Sequence, residues 1–444
     1  MLPQLAKLEA HFPEELVIIG VHSAKFPGER PGGTLRSAVQ RNRIQHPVVN
    51  DRDFQIWQEY GVRAWPTLMF LDPSGMVIGK HEGEAPADAL IQAVRELLER
   101  YDSYGMIDRA PVEVLKEEAC PGHELAFPGK VAVDETLGRL IVSDTGHDRV
   151  LIASLDGPVS DVIGSGEAGF ADGDFAHARL REPQGIAVHG DQVFIADTGN
   201  GSVRVADLAS GELRTVAGTG EQGLGMPKAG PALEVAMRSP WDLALHDGDL
   251  LIAMAGTHQI WRLDLESGWA EPFAGDGVEA IRDGERMRAW LAQPSGLAIS
   301  GDRLYFADSE TSAIRYVELS PGDQVQTLVG TGLFDFGDVD GIGDEVRLQH
   351  PIGINARDGA VYVADSYNHK IKRLYPDERR VESWLGSGEP GIRDGSGADV
   401  KFDEPGGLAI AGDRLYIADT NNHAVRVADL CTGQVVTLGL SVGS

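Results

Sequence analysis

The spacing of apolar residues divides the chain into two differently patterned parts. Leu5, Leu8 and Phe12 recur at helical spacing from the first residues. Leu16–Val21 is a continuous apolar run that predicts a buried parallel strand. Helical spacing returns over Thr34–Arg43, a short strand follows at Pro47–Asn50, and Asp53–Tyr60 predicts another helix. Thr67–Leu71 and Met76–His81 form a hairpin around Asp72-Pro73-Ser74-Gly75, and a closing helix runs from Pro86 to Arg100. The predicted order is α-β-α-β-α-β-β-α.

Beyond Phe127 the pattern changes to short alternating runs, and it repeats. Pro128, Pro183, Pro240, Pro294, Pro351 and Pro405 open successive units, at intervals of 55, 57, 54, 57 and 54 residues. Each unit holds four strand patterns separated by turn-formers; in the last these are Gly407–Ile410, Arg414–Ala418, Ala424–Ala428 and Val435–Leu438. Four antiparallel strands repeated six times predict a six-bladed β-propeller. Gly185, Gly296, Gly353 and Gly407 lie on the innermost strands, where six blades crowd the axis.

Both parts resemble known families. The stretch "YGVRAWPTLMFLDPSGMVIG" resembles the hairpin-and-helix end of thioredoxin-like domains, with Pro66 at the cis-proline position. That resemblance implies an upstream strand and a Cys-x-x-Cys pair, neither of which is present. A helix starting directly at Met1 suggests a start set too far downstream, or a truncated domain. With no thiolate beside it, Pro66 reads as a turn residue before a strand. The recurring "ADT-x-N" with Pro-x-Gly ahead of it resembles the NHL repeat over residues 127–440, and the two domains together match a known pairing. The expected architecture is therefore an incomplete α/β thioredoxin-like domain (1–104), a linker (105–126) and an all-β six-bladed propeller (127–444).

Asp144, Asp197, Asp308, Asp365 and Asp419 end the second strand of their blades. A ring of carboxylates suggests a cation site, as the resemblance to lactonase-like propellers would imply. A feature repeated in nearly every blade more readily serves the blade, here by accepting hydrogen bonds from the amides of its own turn. Asn368, His369, Asn422 and His423 follow in the same turns and take the same reading. The interblade segment Asp338-x-Asp340-Gly341-x-Gly343-Asp344-Glu345 offers oxygen ligands but lacks the spacing of a calcium loop, so turn formation is expected there. Arg181, Arg347 and Arg393 flank such loops and are expected to pair with nearby acids.

Blade three departs from the repeat. It carries Met254-Ala255-Gly256 in place of Ala-Asp-Thr, and Trp241, Trp261, Trp269 and Trp290 gather around it with His258. These side chains either fill a gap between blades or form a partner patch.

Charge narrows the function classes. Of a net −29, residues 1–100 contribute −2 (11 Lys/Arg, 13 Asp/Glu) and residues 101–444 contribute −27 (28 and 55). So acidic a surface repels nucleic acid and anionic lipid. No apolar run reaches the length of a membrane span. Two cysteines, Cys120 and Cys431, allow no disulfide framework, and a reducing, cytoplasmic setting is the expectation. Ring closure brings the first and sixth blades together, yet both thiols are expected free, with Cys431 buried. The leading reading is a cofactor-free, non-catalytic scaffold that binds a protein or a small polar ligand on its loop-rich face. The alternatives are a thiol-disulfide oxidoreductase completed upstream, or a metal-dependent hydrolase using the channel. Self-repulsion predicts that the thermal midpoint rises between low and moderate ionic strength at neutral pH; scanning calorimetry with added salt checks this.

Overall fold

The computed structural model describes residues 1–110, 122–319 and 323–442, and the chain divides into two compact units, Met1–Pro121 and Gly122–Ser444.

The first unit contains α1 (Leu2–His11), β1 (Gly20–His22), α2 (Gly32–Arg41), β2 (Val48–Asn50), α3 (Gln55–Glu59), β3 (Thr67–Leu71), β4 (Val77–Glu82) and α4 (Ala87–Asp102). β1 runs parallel to β2, with Val21 opposite Val49, and β3 pairs antiparallel with β4. Leu8, Phe12, Ala85, Leu90 and Val94 form its core, with Leu16, Ile18, Leu68 and Phe70 packed against them. The run Leu16–Val21 is not a doubly buried strand. Only its last two residues enter β1, and Val17, Ile19 and Val21 are exposed. The helical core covers the face that holds Leu16 and Ile18, and nothing covers the other. The Trp65–Pro66 peptide is cis.

The second unit is the six-bladed β-propeller. Blade two shows the plan, with strands Pro183–His189, Gln192–Asp197, Ser202–Asp207 and Glu212–Gly218 in an antiparallel meander. Each blade has five strands rather than four. The interblade segment ahead of blade two supplies Gly173–Asp174, which pairs antiparallel with Glu212 and Leu213. Blades three to six gain Gly230–Pro231, Gly284–Glu285, Gly341–Ile342 and Gly395–Ser396 in the same way. Blade one has no interblade loop before it. The C-terminal Ser441–Val442 takes that place, pairing parallel with Pro158 and Val159, and so closes the ring.

Six apolar clusters hold the blades together, one at each junction. The cluster between blades six and one includes Leu125 and Leu440 from the two ends of the unit. Residues 122–126 therefore belong to the propeller: Leu125, Ala126 and Phe127 are buried, and the expected linker ends before them. Cys431 is free and exposed, not buried, because it lies at the tip of the last inter-strand turn, where the Asp429 side chain accepts its N–H at 3.0 Å. Cys120 lies outside the described residues. Among the described residues no helix is long and apolar enough to cross a membrane.

At the axis the innermost strands contribute Lys130, Gly185, Asp242, Gly296, Gly353 and Gly407. A methyl group on Gly353 would sit 2.1 Å from the Gly406 carbonyl oxygen, and one on Gly407 would sit 2.5 Å from the Lys130 Cα. The two non-glycine members fill the space that the glycines leave. Lys130 Nζ donates to Asp242 Oδ2 (3.2 Å) and to the carbonyls of Ser295 (2.7 Å) and Ile352 (2.9 Å). Burial holds the Lys130 ammonium below its ordinary range, against the pull of Asp242. This pair lines a well of about 320 Å³ whose remaining wall is the innermost strands. Gly353→Ala should cost ~1–3 kcal/mol through overpacking. Gly230→Ala, which meets nothing within 4 Å, should be near neutral; denaturant midpoints of both variants check this.

Candidate functional site

The repeat signature is a hydrogen-bonding device that runs round the loop-rich face. The five aspartates are fully buried. They bond side chains of their own turns in four blades, His147, Asn200, Asn368 and Asn422, but not the turn's backbone amides. One carboxylate oxygen of each accepts the backbone N–H of the residue two positions before the blade's proline, in the segment that leads into the blade. The pairs are Ala126 to Asp144 (2.6 Å), Arg181 to Asp197 (2.8 Å), Ala292 to Asp308 (2.7 Å), Gln349 to Asp365 (2.7 Å) and Asp403 to Asp419 (2.8 Å). Such a loop would otherwise bury an unpaired amide, at ~1–3 kcal/mol each.

The other carboxylate oxygen meets a cation on the third strand, seven residues further on in four blades. Arg204, Arg315 and Arg426 each reach it at 2.8 Å and Lys372 at 3.5 Å; in blade one Arg149 does so at 2.7 Å. Burial pushes Asp197, Asp365 and Asp419 up to about 6 against the pull of these cations, and it raises Asp308 too. The far ends of the cations grip the Asp-Gly of the interblade loop: Arg204 to Asp172, Arg315 to Asp283, Lys372 to Asp340, Arg426 to Asp394. These cations were the residues that sequence reasoning missed. Their signal was a fixed offset from the aspartate within an otherwise apolar strand.

The same geometry decides the metal readings. Asp338 and Asp340 are engaged by Lys370, Lys372 and the Ser383 N–H rather than arranged around a calcium position. Among the described residues no three His, Cys, Asp or Glu side chains are placed to hold a metal ion. Arg347 and Arg393 do not pair with acids as expected. Arg347 donates to the Asp344 and Val346 backbone carbonyls, and Arg393 to the Asp399 backbone carbonyl. The Arg181 side chain packs against Gly199.

Asn368 and Asn422 each donate to their aspartate and to a carbonyl of the interblade loop. The residue after the aspartate reaches the next blade. Thr145, Thr198, Ser309, Ser366 and Thr420 donate their hydroxyls to the carbonyls of Pro183, Pro240, Pro351, Pro405 and Pro128 at 2.6–2.9 Å. Thus every blade except the third fixes its own entry segment through Asp and its neighbour through Thr or Ser.

Blade three replaces both partners of the buried ion pair at once. Met254 stands where the aspartate would be and Trp261 where the arginine would be; both are fully buried in the cluster between blades two and three. The Trp261 indole N–H donates to Gln259 Oε1 at 2.9 Å. The remaining tryptophans are dispersed. Trp241 sits on the innermost strand with its buried N–H unpartnered, and Trp269 lies half-exposed on the outer strand. Trp290 donates to Asp276 and stacks on Arg282 at 3.9 Å. The structure does not bring Trp241, Met254, His258, Trp261, Trp269 and Trp290 into one patch. The apolar side chains that do reach solvent on this face belong to the interblade loops: Phe170, Leu224, Met226, Val278, Phe334 and Ile392 are all exposed.

Residues 402–428 match the NHL repeat. The matched stretch includes Asp419, Asn422 and Arg426 of blade six. The chain is similar to NHL repeat-containing protein 2 of Homo sapiens, with 40% identity over 475 residues, covering 99% of this chain and 65% of that protein. It therefore spans less than two thirds of that relative's length. A shorter similarity, 24% over 97 residues and covering 22% of this chain and 52% of the other, links it to the thiol-disulfide oxidoreductase ResA of Halalkalibacterium halodurans. Among solved structures, an auxiliary nutrient binding protein from Bacteroides thetaiotaomicron shares the fold, with a TM-score of 0.51, 14% identity and coverage of 84% of this chain and 83% of that one.

Arg426→Met leaves Asp419 buried without its cation and should cost ~3–5 kcal/mol. The double exchange Asp419→Met with Arg426→Trp copies blade three and should recover most of that loss. Urea unfolding of the two variants makes the comparison.

Proposed function

We propose that this chain is a non-catalytic binding protein that presents the interblade loops of its propeller to a protein partner. One observation carries the reading: the polar residues that could do chemistry on this face are consumed by the fold, while the loop tips between them are apolar and exposed. Each signature aspartate holds a backbone amide and a cation, so none is available to a metal or a substrate. Lys130 and Asp242 occupy the axis, where a channel hydrolase would need its site. The acidic body favours a partner whose contact surface is basic around an apolar centre.

The reading includes a thioredoxin-like first unit, which its element order and the similarity to an oxidoreductase support. The first unit holds no Cys-x-x-Cys pair, Cys120 being its one cysteine, so in this reading it contributes contact surface rather than thiol exchange. It also includes a reducing, cytoplasmic setting, which the exposed thiol of Cys431 supports.

The test is cross-linking of the full chain in its native extract, with and without Phe170→Ser, Phe334→Ser and Ile392→Ser together. Cross-links on the interblade loops that disappear in the triple variant, at an unchanged thermal midpoint, are expected. Turnover of a disulfide substrate by this chain, or cross-links unaffected by the substitutions, would overturn the reading.

A further inference from the structure

The residue before each blade's proline is in the left-handed region. Phe127, Glu182, Ser239, Gln293, His350 and Glu404 have φ between 47° and 60°. This conformation is strained for side chains other than glycine, and in five of the six the N–H points at the turn of the preceding blade. In the sixth, Ser239, the acceptor comes from the interblade loop instead. The six acceptors divide into two kinds. Asp148, Gln222 and Ser312 accept with oxygen, from Glu182 (2.9 Å), Ser239 (2.9 Å) and His350 (3.2 Å). His258, His369 and His423 accept with imidazole Nδ1, from Gln293 (3.3 Å), Glu404 (3.1 Å) and Phe127 (3.1 Å).

An imidazole that accepts at Nδ1 carries its single proton on Nε2. Protonation would place a second N–H against the backbone N–H, turning an attraction into a repulsion. The junction between blades three and four lacks the turn hydroxyl that bonds the next proline carbonyl at the other five; near the axis it keeps the Leu297 N–H, which donates to Asp242 Oδ2 at 2.9 Å. Ala255 has no hydroxyl for the Pro294 carbonyl, and Met254 has no carboxylate for its own loop, so His258 is the side chain of that turn that joins the neighbouring blade.

We propose that the propeller ring carries an acid-sensitive latch, in which neutral His258, His369 and His423 hold the junctions of blades three–four, five–six and six–one closed, and that the three–four junction loosens first. The charged surroundings of the three rings fit this role. His258 faces Glu279, Asp308 and Glu310, with Arg238 opposing them, and burial dominates to hold its pKa below the ordinary histidine value. His369 is likewise held down by burial, against Glu404, with Asp403 Oδ1 at 3.7 Å. Burial, with His123 and His147 beside it and Asp144 opposing, brings His423 down to about 4.

A histidine whose pKa is lower in the closed ring binds fewer protons there than when open. The closed state is therefore fully favoured above the ordinary histidine pKa of ~6.5, and its advantage is lost as pH falls from there towards about 4. For His423 the opening equilibrium should rise ~20-fold between pH 7 and pH 5, from those two pKa values.

Hydrogen exchange of the full chain, corrected for the intrinsic pH dependence, reads this directly. Between pH 7 and pH 5 the amides of Gln293, Glu404 and Phe127 should lose protection, Gln293 most, while His350 and Ser239 keep theirs. His258→Asn supplies an Oδ1 acceptor in a residue that tolerates the left-handed conformation, so Gln293 should remain protected at pH 5. Equal loss at Gln293 and His350 in the wild-type chain would overturn the proposal, and this comparison stands even if the variant does not fold. Loss at Gln293 that is unchanged in a folded His258→Asn chain would overturn it too.

Discussion

Six sheets arranged radially around an axis must each bury the loop that leads into them. That loop carries backbone N–H groups that no strand can pair, and everything repeated in this propeller answers to that requirement. A carboxylate is placed at the end of the second strand because there it can reach the loop amide from inside. The carboxylate in turn needs a counter-charge, which the third strand supplies from across the same turn. The cation needs its remaining donors satisfied, and the Asp-Gly of the interblade loop does so. In the blades that keep the signature, one unsatisfied amide thus accounts for three polar residues, such as Asp172, Asp197 and Arg204.

Blade three shows that the requirement on the ion pair is joint rather than individual. A buried charge without its partner is costly, whereas two apolar side chains of similar volume in the same two places are tolerated. Met254 and Trp261 are such a pair, separated by the same interval as Asp197 and Arg204. Reading either position alone suggests decay of the repeat or a recognition patch. Reading them together identifies a substitution of one solution for another, and it explains why Trp261 is among the largest fully buried side chains of the chain.

The blade number and the strand order were legible from the sequence because proline spacing and period-two alternation are local signals. So were the turns, whose left-handed residues are Asp148, Gly201, His258, Ser312, His369 and His423. What the sequence could not present was the partner of each polar residue. Asp419 looks like a turn-capping residue because its neighbours in sequence are turn residues, and Asn422 of that turn does bond it, but its other partners are Asp403 and Arg426, 16 residues before it and seven after. The fifth strand was hidden for a similar reason: two residues carry no periodicity. In the first unit, Leu16–Val21 misled because a run of apolar residues does not reveal whether one face or both are covered.

The contribution of each outer strand by the preceding loop has a bearing on how such a ring can be cut or lengthened. No blade is a self-contained segment of chain, since its outermost edge is written before its innermost strand begins. Excising residues 183–218, the visible extent of blade two, would strand Gly173–Asp174 without a sheet to join. A deletion or duplication that leaves every remaining blade whole has to run from one outer-strand segment to the next. The genetic unit of this propeller is therefore out of phase with its architectural one, and the parallel tail at Ser441–Val442 is the seam where that offset is absorbed.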